Sequence, residues 1–562
     1  MILDTNLLKI IKVLVVAMLA THVPFVVYAQ VQDLPGAGSI LQQVQPVTPP
    51  PPAPSSTGLL MKRKDAARPP PSAPFLVKKL QITGNTLFAT QTLHALVADA
   101  EDKQLILLQL DELATRITEY YNGHNYPLAR AIIPAQTIQS GVVRIEVIEA
   151  RYGKISLNNN SSVEDALLKE TVAHLQSGQA IGQIDLDHTL MLLSEIPGVV
   201  LSATLNPGAK VGTSDLVVNT APGPAVTKNV LLNNHGGNAT GRVRAGAKVS
   251  VINPLQHGDI LTVNGLSSGA GMNYARIDYE ALLNGRGARL GGSYSQMNYT
   301  LLGSFAASSG QGSAQVKSVW AGYPLVRSRA VNFSGKVKYD QVKLQDLSDS
   351  NDKNRHLDNW TMSLDGSARL SGSSNSWYVG WTLGSVDFDD TDAQIADSST
   401  AKTQGSFAKL NVNVTRRQTL TPQNNLYLAL SGQWANTNLD SSQKMSVGGP
   451  SSVRAYNTGA VSGDSGHLVT IEFQHNLNVD WDGQWQAVAF VDRAQVTVNK
   501  NTWNDNQNLA ILLGAGFGLN WTGSDQLSVK AYIATPAGST PTPSLVASTE
   551  SVRAWVGLSR GF

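Results

Sequence analysis

The chain has 562 residues, with 43 Lys and Arg against 41 Asp and Glu, so its formal net charge of +2 gives no basis for a nucleic-acid partner. Only 15% of residues are charged, below the roughly 25% usual for soluble proteins, while 49 glycines suit many strands joined by turns. Cysteine is absent, which excludes disulfides and thiolate metal centres. No metal-ligand spacing, dinucleotide fingerprint or GxxxxGK[ST] phosphate loop occurs either, so neither a cofactor nor a metal is expected, and the chain reads as a non-enzyme.

At the N-terminus, Lys9 and Lys12 precede an apolar run over 13–20, and Val27-Tyr28-Ala29 supplies the small residues of a cleavage site. His22 and Pro24 interrupt the run before it reaches spanning length, so 1–29 reads as a signal peptide cut between Ala29 and Gln30. Residues 30–74 contain PVTPPPPAPSS and RPPPSAP, which favour extended polyproline geometry and mark a linker. A short helix is expected near 40–44, and the basic run at 61–64 reads as solvated linker charge. No later apolar run could form a spanning helix, which leaves a membrane β-barrel open because its apolar residues alternate.

Residues 75–150 and 151–223 repeat one order, β-α-α-β-β, over about 75 residues each. In the first unit FLVKKLQI precedes the turn Thr83-Gly84-Asn85, and Leu110, Leu113, Ile117 and Tyr120 share a helix face. Strands are expected over 128–133 and 142–148. In the second, a helix over 163–175 follows Ser161 or Ser162 as cap, another runs over 185–195 to Pro197-Gly198, and strands at 199–205 and 216–218 close the unit.

From 224 to 562 the helical period gives way to alternation. Trp377, Val379, Trp381 and Leu383 alternate with Tyr378, Gly380, Thr382 and Gly384, and Ala408, Leu410, Val412 and Val414 alternate with polar residues. An apolar outside and a polar lumen in strands of about ten residues, over this length, predict an antiparallel barrel of about 16 strands. A secreted sandwich is the rival reading of the same alternation.

Several stretches resemble the outer-membrane transporters of two-partner secretion, of the haemolysin-activator type. Ile82-Thr83-Gly84-Asn85-Thr86 and YPLARAIIPAQTIQSGVVRIEVIEA resemble a first POTRA domain, and Ile196-Pro197-Gly198-Val199 with NPGAKVGTSDLVV a second. Asn253-Pro254-Leu255 with Gly258-Asp259, and Gly322-Tyr323-Pro324-Leu325, match early barrel strands. Val453-Arg454-Ala455-Tyr456 resembles the VRGY motif of a long loop folded into the barrel near 445–465, with Ala455 in place of a glycine.

The resemblance implies two periplasmic POTRA domains and a barrel in the outer membrane, acting as a monomer among its lipids. Such a protein would export one large secreted partner (a haemolysin, adhesin, haem-binding protein or toxin) in unfolded form, with possible activation of that partner. It also implies an inward Asp492, in Phe490-Val491-Asp492, paired with Arg454 as a loop–lumen lock flanked by Val453 and Tyr456. A cargo-receiving sheet edge would be made by Leu128, Ala129, Arg130, Ala131, Ile132 and Ile133, beside Leu113, Ile117 and Tyr121. For Leu113 and Ile117 core is the better reading. The trypsin-like spelling Gly463-Asp464-Ser465-Gly466 is absorbed by the Gly-Asp-x-Gly that commonly follows the loop motif, and no triad accompanies Ser465. A barrel-assembly insertase, a passive porin and an outer-membrane hydrolase are the alternatives.

Overall fold

Gly84 turns the chain at a positive φ of 82°, where an added Cβ would lie 2.3 Å from the Val147 carbonyl. In this computed structural model, which describes residues 34–44, 59–61, 72–349, 352–505, 507–538, 546 and 550–562, that turn joins Lys79–Thr83 to the helices of the first α/β unit. The expected cleavage point at Ala29 and Gln30, most of the proline-rich linker and residues 62–64 lie outside the described residues. Lys79–Thr83 runs parallel to the central strand Val142–Ile148, whose other neighbour is the antiparallel edge strand Arg130–Ile132. The helix Leu107–Gly123 covers this sheet with Leu110, Leu113, Ile117 and Tyr121, all buried. Tyr121 rather than Tyr120 completes the apolar stripe, as its spacing of four from Ile117 allows.

Glu149 joins the first unit to the second. Its buried carboxylate accepts from the backbone N–H of Thr86 (2.7 Å) and Leu87 (2.8 Å), the Thr86 hydroxyl and the Tyr121 hydroxyl (2.8 Å). Arg151 reaches the same carboxylate at 3.3 Å and donates to the Gly178 carbonyl of the second unit at 3.0 Å. Burial pushes the Glu149 carboxyl up, but the bonds from Thr86, Leu87 and Tyr121 outweigh it and hold the group below its ordinary value. A depressed folded value means that the stabilisation is complete above the unfolded pKa of about 4.3 and fades as pH falls through the folded one. Thermal unfolding of a 72–223 fragment, followed by circular dichroism from pH 7 to pH 3, should therefore show an acid loss that Glu149→Gln flattens. That variant should be about 1–3 kcal/mol less stable at neutral pH; an unchanged acid profile would refute this role.

The second unit has strands Arg151–Asn159, Val199–Pro207 and Thr213–Pro222 with helices Asp165–Val172 and Gln183–Ser194. The first of these helices is shorter than the expected 163–175 and starts after Glu164: the Ser161 hydroxyl donates to Asn159 and accepts from the Val163 N–H at 3.3 Å, and the Ser162 hydroxyl accepts from Asn253 of the barrel. Leu59–Met61 of the linker pairs in parallel with Val199–Pro207, covering that sheet edge.

Sixteen antiparallel strands, from Val226–Asn233 to Arg553–Gly561, close into a barrel. Its outer face carries the alternating apolar set, with Trp360, Trp381, Val491 and Phe517 exposed outward. Trp481, Trp485 and Trp521 cluster at the end nearer the α/β units, Trp481 edge-on to Trp485, and Tyr339 meets Trp360 at 5.0 Å further up the wall, aromatic placements that suit a lipid-facing barrel. The second α/β unit is fixed to the barrel rim by Arg327–Glu195 at 3.1 Å and Arg329–Asp187 at 2.8 Å. The Asn253 turn joins them too: its amide donates to Ser162 at 2.9 Å, while the fully buried Asp259 accepts from Leu255 and Tyr279.

Candidate functional site in the barrel lumen

Two segments fill the lumen. The first is a helix, Ala37–Gln42, close to where the sequence predicts one but placed inside the barrel, a position nothing in its composition indicated. Its Ala37, Ile40 and Leu41 are buried against wall residues that include Met272, Met297, Leu344 and Leu357. The Ala37 N–H donates to Asp346 at 2.5 Å, and Arg244 holds the Gln43 carbonyl at 3.2 Å. Gly38 lies so close to the second segment that a Cβ would fall 2.3 Å from the Ser441 hydroxyl.

That second segment is the long connection between the strands Asn424–Ala435 and Ser465–Leu477, which folds back inside and forms a short ribbon of Met445–Val447 with Val461–Gly463. Gly448 and Gly449, at φ near 100°, turn it. Asp464, fully buried, fastens its base by accepting from Leu439 N–H (3.0 Å), Lys500 N–H (2.7 Å) and the Lys444 ammonium (3.1 Å). The Ser465 hydroxyl accepts from the Ala435 N–H at 3.0 Å, a strand-joining role.

At the tip, Arg454 and Asp492 meet. Nε and Nη2 of Arg454 each donate to a different Asp492 oxygen at 2.8 Å, and the Arg454 backbone N–H adds a third bond at 3.1 Å. Both residues are buried, Asp492 completely. The planar fork matches the carboxylate as an ammonium could not. The remaining arm of Arg454 bonds Glu472, its guanidinium lies 3.4 Å over the Phe490 ring, and Thr470 donates to Asp492 at 3.0 Å. Val453 and Tyr456 are buried beside it, with the Tyr456 hydroxyl directed at the Leu513 carbonyl, 3.4 Å away. Ala455 takes no positive φ, so the missing glycine brings no backbone strain. Its methyl sits on Gly514, where a second Cβ would lie 2.5 Å away.

The sequence reading did not select Glu472, Thr470, Phe490 or Trp555. Alternation could have found the first three: Thr470 and Glu472 alternate with the outward Val469, Ile471 and Phe473, and Thr470 and Glu472 stand opposite Asp492 and Phe490 in the register. A second network was equally invisible: Arg355, 1% exposed, bridges Asp346 at 2.8 Å and Asp440 of the loop at 2.5 Å, joining wall, helix and loop.

The edge expected over six residues contracts to Arg130–Ile132. Leu128 packs on the core of the second unit, Ala129 is buried in a turn closed by the Tyr126 carbonyl, and Ile133 precedes Pro134 outside the strand. The N–H of Ala131 donates to Thr118 at 2.9 Å. Tyr121 is core, as are Leu113 and Ile117, so none of the three lines an open groove.

A model of the ShlB-type POTRA domain matches residues 75–150. The model described as haemolysin secretion/activation protein ShlB/FhaC/HecB matches residues 212–521, more than half of the chain. Among curated relatives, the heme/hemopexin transporter protein HuxB of Haemophilus influenzae is 28% identical over 472 residues, covering 82% of this chain and 84% of its own. The outer membrane transporter CdiB of Dickeya dadantii is 24% identical over 498 residues, covering 82% and 84%. The structure of CdiB from Escherichia coli superposes with a TM-score of 0.70 at 18% identity, over 89% of this chain and 93% of that one. With POTRA units at one rim and a closed sixteen-stranded wall around a plugged lumen, this chain belongs to the haemolysin secretion/activation family and is an outer-membrane transporter that exports a partner protein.

Proposed function

We propose that the partner arrives unfolded at the α/β units and leaves through the barrel lumen once the Ala37–Gln42 helix is displaced, and that no catalytic step is involved. The observation that carries this reading is the lumen itself: its helix is continuous with the chain only through the linker and is seated by contacts that can be unmade. Of the two α/β sheets, one has its Val199–Pro207 edge covered by Leu59–Met61, and the other leaves the outer side of Arg130–Ile132 without a strand neighbour among the described residues. Backbone pairing at such an edge accepts many sequences. The incoming strand would displace Thr118 from the Ala131 N–H.

Capture of the secreted partner by the purified protein should be lost in Ala131→Pro, which removes that donor, and strengthened a few-fold in Thr118→Val, which frees it. Equal capture by both variants would refute docking at this edge while leaving the lumen route untouched. The relatives named as haem/hemopexin transporters are 28% identical against 22–24% for the CdiB transporters, which favours a haem- or hemopexin-linked partner for this chain. A large secreted protein lost from the medium on deletion of this chain, with other barrels still inserted, separates export from barrel assembly.

A further inference from the structure

The barrel closes where its last strand meets its first, and that junction has the fewest paired residues. Among the described residues, five register pairs join Asn229–Asn233 to 557–561, whereas each of the other fifteen junctions has between eight and sixteen. Above Gly557 the last strand continues to Arg553, paired with Leu527–Pro536 on one side but with no strand partner on its first-strand side. The Asn234 side chain continues the ladder there, donating to the Ala554 carbonyl at 3.0 Å and accepting from the Val556 N–H at 2.8 Å.

The in-folded loop contacts both sides of this weak stretch. On the last strand, the buried Trp555 indole donates to the Arg454 carbonyl at 2.7 Å. On the first-strand side, the Thr458 hydroxyl donates to the His235 carbonyl at 2.8 Å. The His235 ring closes the gap edge-on to Trp555 at 5.9 Å. Arg454 is anchored meanwhile to Asp492 and Glu472, on strands Gln484–Thr497 and Ser465–Leu477.

We infer that the loop is the staple of barrel closure, and that Trp555 is the positioning residue that transfers the Arg454–Asp492 anchorage to the seam. Through Trp555 the seam shares the hold of a buried bidentate ion pair, and five strand pairs suffice because the four residues above them, open on the first-strand side, are clamped from inside. This is independent of what the barrel transports.

The test uses the full-length, membrane-extracted protein on seminative gels, where folded and unfolded barrels migrate differently. Trp555→Phe keeps the ring against His235 and removes the donor, and Thr458→Val removes the other contact. Each should lower the unfolding temperature, as loss of one bond, about fivefold in the opening equilibrium, requires. The chain has no cysteine, so a disulfide can be placed alone. Lys228 and Phe562 exchange both backbone bonds, which makes Leu231 and Ser559 a close non-hydrogen-bonded pair. Leu231→Cys with Ser559→Cys should restore the unfolding temperature of either variant, while a bridge at Val263 and Ile277, a pair at another junction, should not. Wild-type unfolding in both variants, or equal rescue by the two bridges, would overturn the assignment.

Discussion

Arg454→Lys should cut secretion of the partner severely, and Arg454→Ala and Asp492→Asn should do at least as much damage. Lysine retains the charge but offers one ammonium where Asp492 and Glu472 receive three side-chain bonds and Phe490 receives a flat cation. Alanine leaves Asp492, fully buried, with only Thr470 and a backbone N–H as donors. Breaking one side of a buried pair costs about 3–5 kcal/mol because the other charge stays uncompensated. The double variant Arg454→Ala/Asp492→Ala should consequently be less damaging than the product of the two singles. Secretion assays with barrel folding checked in parallel decide the matter; single variants that secrete normally would show that the pair holds nothing needed for export.

The second large effect is expected at the lumen helix. Gly38→Leu places a side chain where even a Cβ meets the Ser441 hydroxyl at 2.3 Å and the Ser442 N–H at 2.6 Å, so helix and loop cannot both stay seated. The helix is otherwise held by burial of Ile40 and Leu41, about 1.5–3 kcal/mol each, by Asp346 and Arg244 on two backbone groups, and by the Gln42 amide, which donates to the Lys444 carbonyl at 2.5 Å. Expulsion should convert a low, intermittent conductance in planar bilayers into a sustained one. Asp346→Asn, which weakens the hold on the Ala37 N–H and leaves Arg355 with Asp440 as its one carboxylate partner, should increase the frequency of openings rather than abolish closure. Conductance in Gly38→Leu that matches wild type would mean the helix does not close the channel.

How far the amino-acid pattern revealed this differs by element. The wall was legible because period-two alternation is imposed on both its faces, by apolar surroundings outside and water inside, so Trp377 through Leu383 announce their side without tertiary context. The Leu107–Gly123 helix was legible for the same reason at period 3.6, with its stripe shifted by one residue at Tyr121. Arg454 and Asp492 came from motif resemblance alone, since they lie 38 positions apart in the chain, across a fold-back. Trp555 was out of reach: an inward indole looks like any other wall aromatic until the loop's carbonyl is seen beneath it. The lumen helix was illegible in role, because six residues with Ile40 and Leu41 as apolar anchors would suit a linker turn equally well. The edge strand was overestimated because Leu128–Ile133 is apolar except at Arg130, and Leu128 serves the core of the second α/β unit rather than the edge.

The central claim is that the partner travels inside the barrel. On the strand Gly405–Thr419, Asn413 shares the lumen face with Asn411, whose amide bonds Gln433, whereas the neighbouring Val414 points to lipid. A photo-crosslinking residue at each position, activated while secretion is under way, should capture the partner from position 413 and not from 414. Capture from 414 alone, or from neither position while the partner still reaches the medium, would contradict a route through the lumen.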